Sequence, residues 1–167
     1  RLCRDWSSDV CSSDLLAAYR RHQVGFVFQS FNLIPTMTAL ANVELPLVFA
    51  GVAPAERRER AQASLEEVGL AHRLDHRPTE LSGGEQQRVA IARASINNPA
   101  IVLADEPTGN LDTRTGAEIL AIIRRMHSDG RTFLITTHDR SIAESVADRI
   151  VTIVDGQITS IEQGGQA

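Results

Sequence analysis

The chain has 167 residues, 17 basic and 21 acidic, giving a formal charge of −4, with 43% apolar and 4% aromatic content. That size supports one hydrophobic core burying about 70% of the unfolded surface, and the negative balance argues against a nucleic-acid clamp or a membrane-surface polycation. No apolar run reaches the roughly 18 residues of a membrane span, and every basic residue is arginine, so no lysine can serve any reaction.

Residues 1 to 14 hold both cysteines, Cys3 and Cys11, and the single tryptophan, and they repeat Ser-Ser-Asp. They show neither helical nor strand periodicity and resemble translated sequencing-adapter DNA, so they read as a non-native leader or, alternatively, a disordered native N-terminus, outside the fold in either case. Residues 15 to 167 then contain no cysteine, which removes disulfides and thiolate metal sites and fits a reducing, cytoplasmic compartment.

Val24 to Phe28 is a short β-prone run expected as a buried strand ending at Gln29. Pro35, Pro46 and Pro54 then punctuate a stretch of helical character. Pro54 suits the first turn of a helix running to about Val68, with Gly69 as its stop and Glu56, Arg57, Arg58, Glu59 and Arg60 on its wet face. From Leu81 the pattern predicts a helix to about Ser95, a strand Ile101 to Ala104, a helix near Gly116 to Met126 and a strand Thr132 to Thr137. Ile101, Val102 and Leu103 are continuously apolar, as expected of a parallel strand covered by helices on both faces. A short helix opens at Ser141, and Ile150 to Val154 and Ile158 to Ile161, across Asp155-Gly156, read as a hairpin forming an antiparallel edge.

Strand carboxyl ends face the ligand crevice of a parallel sheet, and Ile101 to Ala104 ends in Asp105-Glu106-Pro107. Alone, an acidic pair before proline reads equally as a surface turn. Read as chemistry, the pair would divide labour: Asp105 would hold Mg2+ through water, and Glu106 would orient or deprotonate a water attacking a γ-phosphate. In Leu81-Ser82-Gly83-Gly84-Glu85, Ser82 and Glu85 stand at capping-box spacing and start a helix. Two glycines inside the box cost about 1 kcal/mol each in helix propensity. With no structural return expected for them, they read as close backbone approach to an anion at a helix N-terminus.

Leu81 to Arg88 followed by Val89-Ala90-Ile91-Ala92-Arg93-Ala94 resembles the signature motif of ABC-type ATPases, and Ile101 to Glu106 resembles their Walker B strand. Gln29 resembles the Q-loop glutamine, Gly109-Asn110-Leu111-Asp112 the D-loop, and His138 after Thr136-Thr137 the switch histidine. The motifs follow the family's order over about Leu16 to Ile161. The resemblance implies an α/β fold of P-loop NTPase type, a mostly parallel sheet with flanking helices and a C-terminal antiparallel hairpin, incomplete at the N-terminus. Residues 15–35 and 81–161 would form a partial nucleotide-binding core, 36–80 a helical subdomain and 162–167 a tail.

The same resemblance implies a cytoplasmic subunit, peripheral on the inner face of the cell membrane, that binds ATP and Mg2+ and couples hydrolysis to a transmembrane permease. It would act as a homodimer, without nucleic acid. Ser82, Gly83, Gly84, Glu85 and Gln86 would contact ATP held by the second subunit, and Asp112 would bridge the dimer interface. Gln29 would touch Mg2+ or the attacking water, Asp105 would hold Mg2+, Glu106 would ready the water and His138 would steady the γ-phosphate. Taken singly, Gln29 also reads as a polar strand end, His138 as a satisfied imidazole and Asp112 as an N-cap. His72 and His76 stand four apart without a third ligand and are assigned no metal. Glu85, Pro107 to Asp112 and Asn42 to Leu47 further resemble the lipoprotein-release, macrolide-export and cell-division branch, with cargo undetermined.

The family's G-x-x-x-x-G-K-[ST] loop has no counterpart here: none of the 11 glycines is followed by another five positions on, and lysine is absent. The expectation is a cassette truncated at its N-terminus, lacking Walker A, with an apolar sheet face uncovered and negligible ATPase activity alone. Two other classes fit the sequence less well. A non-catalytic module lending Ser82 to Gly84 in trans is disfavoured by the retained Glu106, and a non-transport ABC ATPase by the short interval from Gln29 to Ser82.

Overall fold

The computed structural model describes residues 17, 19, 20 and 22 to 164. The expected leader, with Cys3 and Cys11, and the last three residues of the expected tail lie outside the described residues. Three strands, β1 (Val24–Val27), β2 (Ile101–Asp105) and β3 (Phe133–Thr136), pair in parallel in the order β1-β2-β3. The register places Gly25 opposite Val102 and Val102 opposite Phe133, with Val27, Ala104 and Ile135 in the next row on the same face. Val27, Val102 and Ala104 are buried in the core, which also takes Ile91 and Ala94 of α3 (Gly83–Ser95) and Ile119, Ile123 and Met126 of α4 (Thr113–Ser128). A Cβ on Gly25 would lie 2.2 Å from the Ala94 carbonyl oxygen, so only glycine lets β1 and α3 approach this closely.

Among the described residues the other face is open. Phe26, Leu103 and Leu134 form one row across it, and Phe26 and Leu134 remain 41% and 57% exposed. Phe26 and Phe28 stack on each other with ring centroids 5.9 Å apart. Helices on both faces of β2 were expected; among the described residues they cover one. The strand order explains this, because successive right-handed crossovers stepping the same way across a parallel sheet return their helices to the same side.

Between β1 and α3 the chain folds as α1 (Ala39–Phe49) and α2 (Pro54–Glu67), packed on each other and on α3 through Val43, Leu47, Ala61 and Leu65. Pro54 opens α2 and Gly69, at φ +79°, follows its end, as the sequence predicts. Helix α4 starts ahead of Gly116 because Asp112 caps it; the weak helix formers Thr113 and Thr115 mask that start in the sequence. The short α5 (Arg140–Val146) is capped by Asp139. Strands β4 (Arg149–Val154) and β5 (Gln157–Gln163) form the expected hairpin, turning through Asp155 and Gly156 at φ +49° and +76°. The hairpin is a separate two-stranded sheet, paired from Arg149 opposite Gln163 to Val154 opposite Gln157, and not the expected edge of the parallel one.

Candidate functional site

Parallel pairing brings the carboxyl ends of β1, β2 and β3 to one edge, and Gln29, Glu106 and His138 each follow one of those ends. The Glu106 amide donates to the Thr136 carbonyl at 3.1 Å, which fixes the turn after β2 against the end of β3. Glu106 stands at φ +43° directly before Pro107. A left-handed residue there is doubly unfavourable, since proline biases its predecessor toward extended backbone, and such strain costs about 1–3 kcal/mol. Its carboxylate Oε1 meets His138 Nδ1 at 2.8 Å. A Cβ on Gly109 would fall 2.6 Å from Gln29 Nε2 and 3.0 Å from Glu106 Oε2, so Gly109 is the bare floor on which both side chains converge. Gln29 Nε2 donates to Asn110 Oδ1 at 3.4 Å, and Asn110 Nδ2 donates back to the Gln29 carbonyl at 2.9 Å.

The hydrogen bond to Glu106, reinforced by the Glu106 charge, holds the His138 imidazole above its ordinary pKa. Protonated, His138 is a cation set against the carboxylate at the sheet edge. Asp105 Oδ1 accepts the Thr136 hydroxyl at 2.6 Å. Its other oxygen and the Gln29 amide oxygen are the atoms that could meet a cation. Among the described residues no three His, Cys, Asp or Glu cluster as a metal cage. That donor set fits Mg2+, which takes one or two carboxylates and otherwise keeps waters and substrate phosphates.

The second group sits at the start of α3. Ser82 Oγ accepts from the Glu85 amide at 3.3 Å, and Glu85 Oε2 accepts from the Ser82 amide at 2.8 Å and from its hydroxyl at 2.9 Å, completing the predicted capping box. Arg73 Nε donates to Glu85 Oε1 at 3.0 Å. The Ser82 amide bond, followed by the Ser82 hydroxyl and Arg73, holds Glu85 below the usual carboxylate range. Gln86 Nε2 donates to the Leu81 carbonyl at 3.1 Å.

The two glycines do have a structural return, contrary to expectation. A Cβ on Gly84 would lie 2.4 Å from Thr115 Cγ2, and one on Gly83 3.3 Å from Leu111 Cδ2, so their bareness lets the first turns of α3 and α4 abut. Asp112 caps α4, accepting the Thr115 amide at 3.0 Å and its hydroxyl at 2.6 Å. Ser82, Gly84, Glu85 and Thr115 line a surface hollow of about 370 Å³, with two adjacent helix N-termini supplying partial positive charge.

The fold thus gathers Gln29, Glu106 and His138, with Asp105 alongside through Thr136, and gathers Ser82 to Gln86 with Asp112. The segment Glu106 to Asp112 joins the two groups. Sequence reasoning missed four residues that hold them. Asn110 and Thr136 stood inside quoted runs but without roles. Asn42 is fully buried, accepting the Ile34 amide at 2.8 Å and donating to the Thr38 carbonyl at 3.0 Å, which secures the loop after Gln29. Gln87 is a polar residue on an otherwise apolar helix face, a signal that was present.

Residues 9–109 match the family model described as ABC transporter. The chain belongs to the ABC transporter family. Within this ABC family it is 55% identical over 150 residues to an uncharacterized ABC transporter ATP-binding protein of Thermotoga maritima, covering 90% of this chain and 64% of that protein. It is 55% identical over 149 residues to the macrolide export ATP-binding/permease protein MacB of Brucella melitensis, covering 89% of this chain and 23% of that one. A solved dimeric ATP-binding cassette, in a post-hydrolysis state bound to ADP and Pi, superposes with a TM-score of 0.79 at 45% identity, over 92% of this chain and 68% of that chain. No described helix is long and apolar enough to cross a membrane.

Proposed function

We propose that this ABC family chain is the ATP-hydrolysing part of a transporter, acting at a dimer interface and driving a membrane permease of the macrolide-export type from the cytoplasmic side. The reading rests on one observation above the others: Gln29 and Glu106 converge over Gly109, and Glu106 meets His138 at 2.8 Å. In this reading residues 15–35 and 81–161 form the nucleotide-binding core and 36–80 a helical subdomain. Relatives that carry ATP-binding and permease parts in one protein support the membrane partner, and a dimeric cassette of this fold supports the pairing.

Glu106 accepts a proton from the water whose oxygen forms a bond to the γ-phosphorus, and the bond from that phosphorus to the ADP oxygen breaks. His138, whose protonated form the Glu106 carboxylate favours, turns an N–H to a γ-phosphate oxygen and steadies its charge. Gln29 orients the water beside Glu106 over Gly109. Asp105 and the Gln29 amide oxygen would hold Mg2+, which neutralises phosphate charge. Ser82, Gly83, Gly84, Glu85 and Gln86 serve the nucleotide of the second cassette, the glycines through backbone amides, and Asp112 lies at the interface.

This chain alone hydrolyses ATP negligibly, because no lysine meets the β- and γ-phosphates, and each charge-assisted hydrogen bond lost removes about 1.5–3 kcal/mol of binding. Mixing it with the Thermotoga relative tests the reading. ATP should drive a mixed dimer visible by sedimentation, and Ser82→Arg should abolish it. No ATP-dependent association would overturn the proposed use of α3.

A further inference from the structure

Helix α3 carries a second polar contact whose partner is the turn that bears Glu106. Gln87 is fully buried. Its Nε2 donates to the Pro107 carbonyl at 2.6 Å, while its Oε1 has no hydrogen-bond partner among the described residues. A buried amide that leaves its acceptor unpaired is committed to its donor bond. That bond falls on the residue immediately after Glu106, whose φ of +43° is disfavoured before proline. Pro107 has no N–H with which to tie the turn itself. Within the turn, the Gly109 amide donates to the Glu106 carbonyl at 3.0 Å, and Gln87 anchors that small ring to a rigid helix.

Gln87 also lies three residues after Gly84, on the same face of α3, so the helix end that abuts Thr115 and the amide that grips Pro107 move as one body. Farther along α3, Arg93 makes a parallel contact with the other catalytic loop. Its guanidinium donates to the Asn32 and Phe31 carbonyls at 2.6 and 2.9 Å, just beyond Gln29. That loop supplies an internal comparison.

We propose that Gln87 is a positioning residue that holds Glu106 in its left-handed conformation and sets its carboxylate relative to the phosphate-facing start of α3. Calling that carboxylate the water-activating group rests on the functional reading above; the mechanical role does not. Failure of the mechanical role is read in the turn's hydrogen exchange, and failure of the functional reading in phosphate release by a hydrolysing chimera with a relative that carries this chain's Glu106.

The experiment is amide hydrogen exchange by mass spectrometry on the full chain, comparing Gln87→Met, Gln87→Glu and Arg93→Met. Gln87→Met should speed exchange of 106–111 by about 10-fold or more and leave 119–126 within about two-fold. Arg93→Met should speed 30–34 and spare 106–111. Gln87→Glu keeps the shape of glutamine but donates only when protonated, so its 106–111 protection should be lost at about pH 8 and regained at about pH 5. Packing alone would produce no such rescue, and Gln87→Glu carries the test if Gln87→Met fails to fold. Wild-type exchange at 106–111 in Gln87→Met or in Gln87→Glu at the higher pH, equal acceleration everywhere, or loss in Gln87→Glu without rescue would overturn the proposal.

Discussion

His138 Nδ1 and Glu106 Oε1, 32 positions apart in the chain, meet at 2.8 Å across the carboxyl edge of the parallel sheet. The contact favours the charged form of the imidazole. His138 is held above its ordinary pKa by the Glu106 bond, so the charged contact is complete below the ordinary imidazole value and dissolves as pH rises through the raised one. Glu106→Gln should move the His138 midpoint downward in a titration followed by NMR at the imidazole Cε1 proton. An unmoved midpoint would mean that Glu106 is not its partner.

Gly25 faces the backbone of α3, where a Cβ would lie 2.2 Å from the Ala94 carbonyl oxygen. Backbone cannot swing aside as a side-chain tip can, so Gly25→Ala must push α3 away from β1. The expected loss is about 1–3 kcal/mol or more, read as a lowered urea midpoint.

Glu85 closes the capping box and pairs with Arg73. Glu85→Ala should destabilise by about 1 kcal/mol at neutral pH. Because its folded pKa is depressed, that contribution is present above the ordinary carboxylate value and is lost as pH falls through the folded one. Urea curves of the two proteins should therefore converge in acid.

Much of this arrangement was legible in the sequence because its signals are local. Pro54 and Gly69 bracket α2, Ser82 and Glu85 mark the start of α3, and Asp155-Gly156 marks the hairpin turn. Gln29, Glu106 and His138 were legible as a set because each follows a strand, and parallel pairing does the rest. What stayed hidden depends on distance in the chain. The cost of a Cβ at Gly84 is set by Thr115, and the value of the Gln87 amide by Pro107. The open face that bears Phe26 and Leu134 was among the expectations; that β2 carries helices on one face only among the described residues follows from strand order, which a run of apolar residues does not encode.

The role of Glu106 is tested most directly in a chimera in which this chain's residues replace the matched segment of the Thermotoga relative, the rest of that protein being kept. Phosphate release from ATP should appear, and Glu106→Gln should lower it by about 10²–10⁴-fold while ATP binding persists. Equal phosphate release from the chimera and its Glu106→Gln form would contradict Glu106 as the group that readies water.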